Sequence, residues 1–373
     1  MKHLEDQRRI INSKAFRRLA DKTQVVFSIE RDAQVRSRLT HSLEVASIAK
    51  EIALNIRNIH KYEINAEVAY NAGLLHDYGM SPLGHLGERT LQNVFKEKVG
   101  LFFEANANNL VVIEKNLPNI SMLTVVSTIK YPYMFSSDDK KKTKGIYENQ
   151  YKKYIPILNE LIDLQNQYPS IKRNRTYECD IMEIADDLAY LMSDLYDAIS
   201  AFKIKITKEE LSKYFKEEKL VNPELFLDLL NIINTKNLKK LEDIRELMIQ
   251  NVFFNTKRNM FDFKNKDLKK LENIIRKIDW DFYIKEFSLL EDNPIITKYK
   301  KYLEEIIDFV ETDPMYVETN VIISNTYKKQ FKNAIENKNL RKAYKILLIT
   351  LAEWTDTTVK NKIESHKNNL LDI

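Results

Sequence analysis

Apolar residues recur at helical spacing over most of the chain, and the alternating pattern of a half-buried strand is rare. The clearest helical stretch is 178–200, and similar patterns cover 39–56 and 68–75. The apolar stripe of the stretch 178–200 consists of Ile181, Ile184, Leu188, Leu191, Leu195 and Ile199. The pattern therefore predicts an all-α fold.

The part of the chain beyond about residue 203 is rich in Leu, Ile, Lys and Glu. Segments 211–214, 223–233, 238–248 and 302–310 favour helices, while 251–266 is typical of a connection or a short hairpin. We find no chemistry in this region. We therefore expect a core in residues 1–250 and a C-terminal helical region in 251–373.

Composition supports a helical chain with an ordinary core. Gly and Pro together account for only 14 of 373 residues, and 44% of the residues are hydrophobic. The single cysteine, Cys179, excludes an internal disulfide, and no apolar run approaches the length of a membrane span. We expect a soluble cytoplasmic protein that does not enter a membrane. The net charge of +5 does not by itself indicate nucleic acid, and the basic run 140–144 could be a solvated loop or could face an anion.

Glycine is concentrated in and beside residues 76–88, where four of the six glycines fall. Glycine is needed where the backbone turns through positive φ or approaches another group closely. This segment also contains His76, Asp77, His85 and Glu88. The clustering predicts a tightly folded loop that holds these side chains together, as a metal-dependent site requires.

A mixed set of imidazoles and carboxylates is available for a metal. His41 begins one predicted helix, His76 and Asp77 follow another, and the predicted helix 178–200 carries Asp186 and Asp187. Such a nitrogen and oxygen set suits Mn, Fe, Zn or Mg better than a thiolate zinc site. At 3.6 residues per turn, one side of the acidic helix presents Asp186, Tyr190, Asp194 and Asp197. A solvated acidic face is the alternative interpretation of that pattern.

Several segments, taken in order, resemble the HD-domain superfamily and, within it, the deoxyguanosine triphosphate triphosphohydrolase family. The resemblance covers about the first 200 residues; later residues share only general helical character with the family. The matching segments are 9–19, 22–25, 36–45, 76–88, 103–107, 130–132 and 182–190.

The resemblance implies roles for individual residues. The metal ligands would be His41, His76, Asp77 and Asp186, with Asp187 the rival for the last position, and the cation would be Mn²⁺, Mg²⁺ or Fe²⁺. His85 and Glu88 would form a dyad that handles the attacking water. Substrate would be bound by Gln24, Arg38, Lys130, Tyr190 and Asp194, with Lys144 a further candidate for the phosphates.

One position departs from the family pattern: Met80 stands where the family commonly has a second histidine. We read the change as altered efficiency or specificity, because the ligands, the dyad and Arg38 are retained. The resemblance implies hydrolysis of a deoxynucleoside triphosphate, dGTP or more broadly any dNTP, to deoxynucleoside and inorganic triphosphate. It also implies a homo-oligomer, a hexamer or an assembly of dimers, and it suggests a nucleotide effector.

Two other functions remain open at this point. An HD phosphodiesterase or phosphatase acting on another nucleotide would use the same metal ligands without needing Gln24, Tyr190 or the flanking cations. A nucleotide-sensing or single-stranded-DNA-binding protein with weak turnover would retain the pocket, and Met80 motivates that interpretation. The products formed from a dNTP distinguish these functions.

Overall fold

The computed structural model describes residues 2–23, 36–60, 64–135, 144–165, 173–200, 205–255, 260–290, 293–322 and 324–370. These residues form eighteen α-helices, a short 3₁₀ turn and one two-stranded hairpin, so the all-α prediction is confirmed. Among the described helices, none combines the length and the apolar character needed to cross a bilayer.

The helices fall into an N-terminal and a C-terminal series. The first series is α1 (Lys2–Asn12), α2 (Lys14–Arg18), the 3₁₀ turn Leu19–Asp21, α3 (Arg38–His60), α4 (Ala66–Leu75), α5 (Gly84–Val99), α6 (Ala105–Asn116), α7 (Met122–Val126), α8 (Glu148–Gln165) and α9 (Tyr177–Ser200). The second is α10 (Lys208–Glu217), α11 (Pro223–Thr235), α12 (Leu238–Asn251), α13 (Lys266–Leu290), α14 (Pro294–Thr312), α15 (Pro314–Asn320), α16 (Asn325–Glu336), α17 (Leu340–Ala352) and α18 (Asp356–Leu370). Strands β1 (Val252–Asn255) and β2 (Met260–Phe263) pair antiparallel, as the hairpin alternative for 251–266 predicts.

The centre of the fold is the packing of α3, α4 and α9 against one another. The predicted stretches 39–56, 68–75 and 178–200 lie within these three helices. Close packing depends on Gly73, because a Cβ there would lie 2.6 Å from the Cα of Ala46. Small side chains let two helix backbones approach, and this approach brings the start of α3 next to the end of α4.

The hairpin and α13 share a core with the helices before them. Phe254, Phe261 and Leu268 belong to the same apolar cluster as Val45 and Leu188. This cluster continues across residue 250 as far as Ile278. The division into 1–250 and 251–373 stays a prediction, and residue 250 does not separate two cores.

The last helices pack on α5. Leu86, Leu91 and Phe95 from α5 form a second apolar cluster with residues of α14 and α17, among them Ile306 and Leu347. Residues just after α17 also hold the loop that precedes α5, because Asp356 accepts hydrogen bonds from the amides of Leu83 (2.7 Å) and Thr23 (2.8 Å). The C-terminal helices therefore support the glycine-rich loop.

Glu353 is a second C-terminal anchor. Its carboxylate pairs with Arg18 at 3.1 Å and with Lys115 at 2.9 Å, and its side chain is 9% exposed. It also accepts a hydrogen bond from the hydroxyl of Tyr327 at 3.0 Å. Four separate segments of the chain thus meet at one nearly buried carboxylate.

Candidate metal centre

Three buried side chains converge where α3 begins and α4 ends. His41 lies in the first turn of α3, and His76 and Asp77 follow directly after α4. One ligand atom from each of the three lies within 4.8 Å of the other two. The close crossing of α3 and α4 therefore places two imidazoles and a carboxylate around one point.

Asp186, on α9, completes this group. Its Oδ1 lies 3.0 Å from Nε2 of His41 and 3.3 Å from Nε2 of His76. The neighbouring Asp187 points elsewhere, since it pairs with Arg276 of α13 at 3.0 Å and its side chain is half exposed. Of the two aspartates, the structure brings Asp186 to the histidines.

The hydrogen-bonding state of His76 fits a bound cation. Its Nδ1 lies 2.7 Å from the carbonyl of Gly73, which can only accept, so Nδ1 carries the proton. The Nε2 atom is buried and has no hydrogen-bond partner among the described residues, although carboxylate oxygens of Asp186 and Asp77 lie 3.3 and 3.6 Å away. A lone pair facing two carboxylates in a buried site is the arrangement that a divalent cation satisfies.

Basic side chains surround the two carboxylates. Nη1 of Arg38 donates to Oδ2 of Asp77 at 2.6 Å, and the ammonium of Lys130 contacts Oδ2 of Asp186. Burial alone would raise the pKa of Asp77, but His76 and Arg38 outweigh it and hold that pKa well below its usual range. For Asp186 the burial penalty is likewise outweighed, first by Lys130, so its pKa is also lowered. Both carboxylates are therefore ionised at neutral pH.

His76 responds in the opposite direction to the same charges. Its burial would lower the pKa of the imidazole, and the charges of Asp186 and Asp77 raise it overall. The group therefore binds either a proton or a cation between these carboxylates. Metal binding at this position must compete with protons, so it should weaken as the pH falls.

Arg38 is the most confined cation of the site. Its side chain is fully buried, and within the part of the chain that the structure describes only Nη1 is paired, because Nε and Nη2 have no hydrogen-bond partner there. Burying guanidinium N–H groups without acceptors is costly. An anion that supplies oxygen atoms to Arg38 would remove that cost.

The loop after Asp77 is fixed by its surroundings more than by unusual backbone angles at glycine. The amide of Gly79 donates to Oδ1 of Asn109, and its carbonyl accepts from Nδ2 of Asn108. A Cβ on Gly79 would lie 2.3 Å from the backbone nitrogen of Asn109. Positive φ occurs further on, at Leu83 (60°) and Gly84 (58°). Two amide side chains on α6 thus clamp the loop, a role that the sequence does not reveal.

Met80 packs its side chain against the apolar cluster that α5 shares with α14 and α17. Its carbonyl accepts a hydrogen bond from Lys22, whose ammonium also donates to the carbonyl of Ala352 at 3.0 Å. Lys22 is nearly buried, and burial, together with Arg18 and Arg38, lowers its pKa to about 7. Met80, which stands in place of the family histidine, is therefore fixed by the packing of its side chain and by the hydrogen bond to its carbonyl.

The predicted dyad lies at the start of α5. Nδ1 of His85 is 3.8 Å from Oε2 of Glu88, and the His85 side chain is 55% exposed. Glu88 is positioned by a hydrogen bond of 3.3 Å from the amide of Ala105. An accessible imidazole beside a carboxylate is suited to accept a proton from water.

The remaining predicted substrate residues differ in what the structure describes. The ring of Tyr190 lies 4.4 Å from that of His41, centroid to centroid. Gln24 lies outside the described residues, and Asp194 lies on α9 without a described side chain. Lys144 donates to the hydroxyl of Tyr131 at 3.2 Å, and residues 140–143 of the basic run lie outside the described residues.

Comparison with known proteins gives one matching family model and several relatives that share one description. A family model described as the HD domain matches residues 38–191. The chain is 31% identical over 311 residues to a deoxyguanosinetriphosphate triphosphohydrolase-like protein of Rickettsia akari, covering 80% of this chain and 70% of that protein. A protein of the same description from Rickettsia bellii is 30% identical, with 81% of this chain and 79% of the relative covered. For one from Listeria monocytogenes the identity is 32%, over 57% of this chain and 53% of the relative.

Among solved structures, a hypothetical protein from Aquifex aeolicus matches with a TM-score of 0.39 at 15% identity, covering 89% of this chain and 72% of that one. This likeness is too low to carry an argument. The sequence relatives and the family model agree with the buried histidine and aspartate group, which lies within the matched residues 38–191. They support metal-dependent phosphohydrolase chemistry. The chain belongs to the HD-domain family of deoxyguanosinetriphosphate triphosphohydrolase-like proteins.

Proposed function

We propose that this protein hydrolyses deoxynucleoside triphosphates at the α-phosphorus, giving a deoxynucleoside and inorganic triphosphate. The observation that carries the proposal is Arg38, which is fully buried beside Asp77 and whose nitrogen atoms Nε and Nη2 have no hydrogen-bond partner among the described residues. A polyanionic phosphate chain supplies the acceptors that this guanidinium lacks. The names of the relatives support dGTP as the substrate, and the proposal extends to other dNTPs on the family resemblance.

The proposed ligands are His41, His76, Asp77 and Asp186. Bound there, a divalent cation such as Mn²⁺, Mg²⁺ or Fe²⁺ would polarise a phosphate oxygen and lower the pKa of a water molecule. Glu88 orients His85, whose exposed imidazole accepts the proton of the attacking water.

Arg38 and Lys130 bind phosphate oxygens and stabilise the negative charge that grows on them as the bond to phosphorus breaks. Lys130 contacts Asp186 in this structure, so it is already placed beside the proposed ligands. Tyr190 packs on His41 and would contact the sugar. Gln24 and Asp194 remain proposed sugar contacts on the strength of the family resemblance.

One observation favours a second candidate function. The side chain of Met80 packs into an apolar cluster and can neither donate a hydrogen bond nor take a proton. A protein that binds nucleotide or single-stranded DNA with weak turnover would tolerate this change. The homo-oligomeric state, the nucleotide effector and the cytoplasmic location stay predictions.

Product analysis tests the proposal. The four dNTPs and GTP, alone and in pairs, are incubated with Mn²⁺, Mg²⁺ or Fe²⁺, and nucleoside, triphosphate and orthophosphate are quantified. We expect equal amounts of deoxynucleoside and triphosphate. Orthophosphate in place of triphosphate would instead indicate the phosphatase, and binding without any product would indicate the sensing protein. A separate incubation with a cyclic nucleotide, in which ring opening would be the product, tests for the phosphodiesterase.

Two adjacent aspartates provide a matched pair of variants. Asp186→Asn should lower turnover at least about 100-fold, because it removes a charged ligand. Asp187→Asn should leave turnover nearly unchanged, because that side chain is half exposed and pairs with Arg276 away from the histidines. Equal effects of the two substitutions would contradict the proposed ligand set.

A further inference from the structure

The turn that starts α5 has a strained backbone. Leu83 precedes the helix with a φ of 60° and a ψ of 32°, in the left-handed region, and its own side chain does not cap the helix. This conformation is unfavourable for leucine, because the Cβ comes too close to the following carbonyl oxygen. His85 and Glu88 lie within the first two turns of α5, so the backbone at Leu83 sets the direction of the predicted dyad.

Asp356, the first residue of α18, holds this turn from outside. Its Oδ1 accepts a hydrogen bond from the amide of Leu83 at 2.7 Å, and its Oδ2 accepts one from the amide of Thr23 at 2.8 Å. The carboxylate is nearly buried, and hydrogen bonds to an ionised acceptor are stronger than those between neutral groups. Each oxygen therefore holds a different segment of the chain.

The second of these segments leads to the start of α3. Thr23 pairs with Ser37 in an antiparallel bridge, and the amide of Arg38 donates to the carbonyl of Lys22 at 2.9 Å. Arg38 is the first residue of α3. Asp356 therefore connects the helix that carries the dyad with the helix that carries the proposed phosphate contact.

We propose that Asp356 is a positioning residue for the hydrolytic reaction, and that it fixes the dyad relative to Arg38 and the metal centre. The inference rests on the proposed function, since it takes the dyad as the group that handles the attacking water. Asp356 acts through the backbone amides of Leu83 and Thr23. A displacement of about 1 Å of a reacting group can cost ~100-fold in rate, so the contact should have a measurable kinetic effect.

Asp356→Asn tests the inference, because it keeps the shape of the side chain and removes one acceptor. An amide side chain has a single acceptor oxygen, so one of the two backbone amides loses its hydrogen bond and faces an NH₂ group. We expect kcat for triphosphate release to fall ~10–100-fold, which is less than the loss caused by His85→Ala. The affinity for Mn²⁺ should stay close to that of the parent protein, because the proposed ligands lie on or next to α3, α4 and α9.

Thr355→Ala is the matched control at the neighbouring residue. The hydroxyl of Thr355 accepts a hydrogen bond from the amide of Thr358 at 3.3 Å, at the start of α18. Removing this cap weakens the same end of the helix and leaves both hydrogen bonds of Asp356 in place. The control should therefore keep the kcat of the parent protein.

A double-mutant cycle with His85→Ala separates positioning from a general loss of structure. In the His85→Ala background the dyad no longer functions, so Asp356→Asn should lower kcat further by less than ~threefold. A purely structural role would lower kcat by the same factor in both backgrounds.

Hydrogen exchange of the purified protein in EDTA tests the contact without turnover. In the parent protein the amides of Leu83 and Thr23 should exchange far more slowly than exposed amides that lack hydrogen bonds. In Asp356→Asn at least one of the two should exchange ~tenfold faster or more, and in Thr355→Ala both should keep their protection.

Three results would each overturn the inference. They are exchange of the two amides at the rate of unstructured amides in the parent protein, a kcat for Asp356→Asn equal to that of Thr355→Ala, and an effect of Asp356→Asn that His85→Ala does not diminish. The proposed function fails on a different observation, which is the absence of triphosphate in assays of the parent protein. Exchange at Leu83 and Thr23 decides whether Asp356 holds the turn even in that case.

Discussion

Lys22 offers a quantitative test of how the loop after the metal centre is held. Its ammonium is nearly buried and donates to the carbonyls of Met80 and Ala352. Burial, with smaller effects of Arg18 and Arg38, lowers its pKa from 10.5 to about 7. In the unfolded chain the same group keeps its ordinary pKa. Between these two pKa values the unfolded state therefore binds more protons than the folded state.

The sign and size of the effect follow from proton linkage. Where the unfolded state binds more protons, the free energy of unfolding rises with pH, by up to ~1.4 kcal/mol per pH unit for one group. From pH 7, where Lys22 is about half protonated in the folded protein, to pH 9, this single group adds ~2 kcal/mol. Lys22→Met lacks the titration. The free energy of unfolding of the parent protein, minus that of the variant, should therefore increase by ~2 kcal/mol over this interval.

Urea unfolding at pH 7, 8 and 9 in EDTA measures this difference. Taking the difference between two proteins removes the pH dependence that all other groups contribute equally. Lys239→Met, at an exposed lysine, is the control and should show a difference that is constant with pH. A difference for Lys22→Met that is flat or that falls between pH 7 and pH 9 would show that the pKa of Lys22 is not lowered in the folded protein.

Three further substitutions probe the site. Gly79→Ala should lower the free energy of unfolding by ~1–3 kcal/mol and weaken Mn²⁺ binding, because the new Cβ would lie 2.3 Å from the backbone nitrogen of Asn109. Denaturation measures the first effect and metal titration the second. If neither changes, Asn108 and Asn109 do not hold the loop as described. His85→Ala should lower kcat by ~10²–10⁴-fold with unchanged Mn²⁺ affinity, since the side chain is exposed and is not one of the proposed ligands; loss of metal binding would argue against its assignment. Lys130→Gln should lower kcat/KM by ~10²–10³-fold. It should also raise the pH needed for Mn²⁺ binding, because Lys130 keeps the pKa of Asp186 low. A pH profile of metal binding that does not move would contradict this role.

The helical fold was predictable because its signal is local. The stripe on 178–200 and the pattern on 39–56 and 68–75 each lie within one observed helix. The chemistry of the site was predictable for a different reason: the segments around His41, His76 and Asp186 match a family, and the structure brings these residues together. The roles assigned to them stay proposals.

Contacts between distant segments could not be predicted from local patterns. The C-terminal region shows no chemical motif, yet Asp356 and Glu353 hold the loop before α5 and the ends of two N-terminal helices. Asn108 and Asn109 directly follow the family-like segment 103–107, but only the fold shows that they clamp Gly79. The glycine clustering correctly indicated close backbone approach at Gly79 and positive φ at Gly84, whereas it gave no sign of the positive φ at Leu83. Such constraints arise from packing between helices that are far apart in sequence.

The proposed chemistry depends on one divalent cation bound by His41, His76, Asp77 and Asp186. The most direct measurement is anomalous diffraction from crystals grown with Mn²⁺, collected on both sides of the manganese absorption edge. We expect one strong manganese peak per chain among His41, His76, Asp77 and Asp186, within coordination distance of one side-chain atom of each. A manganese peak elsewhere, or none at these four side chains while Mn²⁺ is in excess, would contradict it.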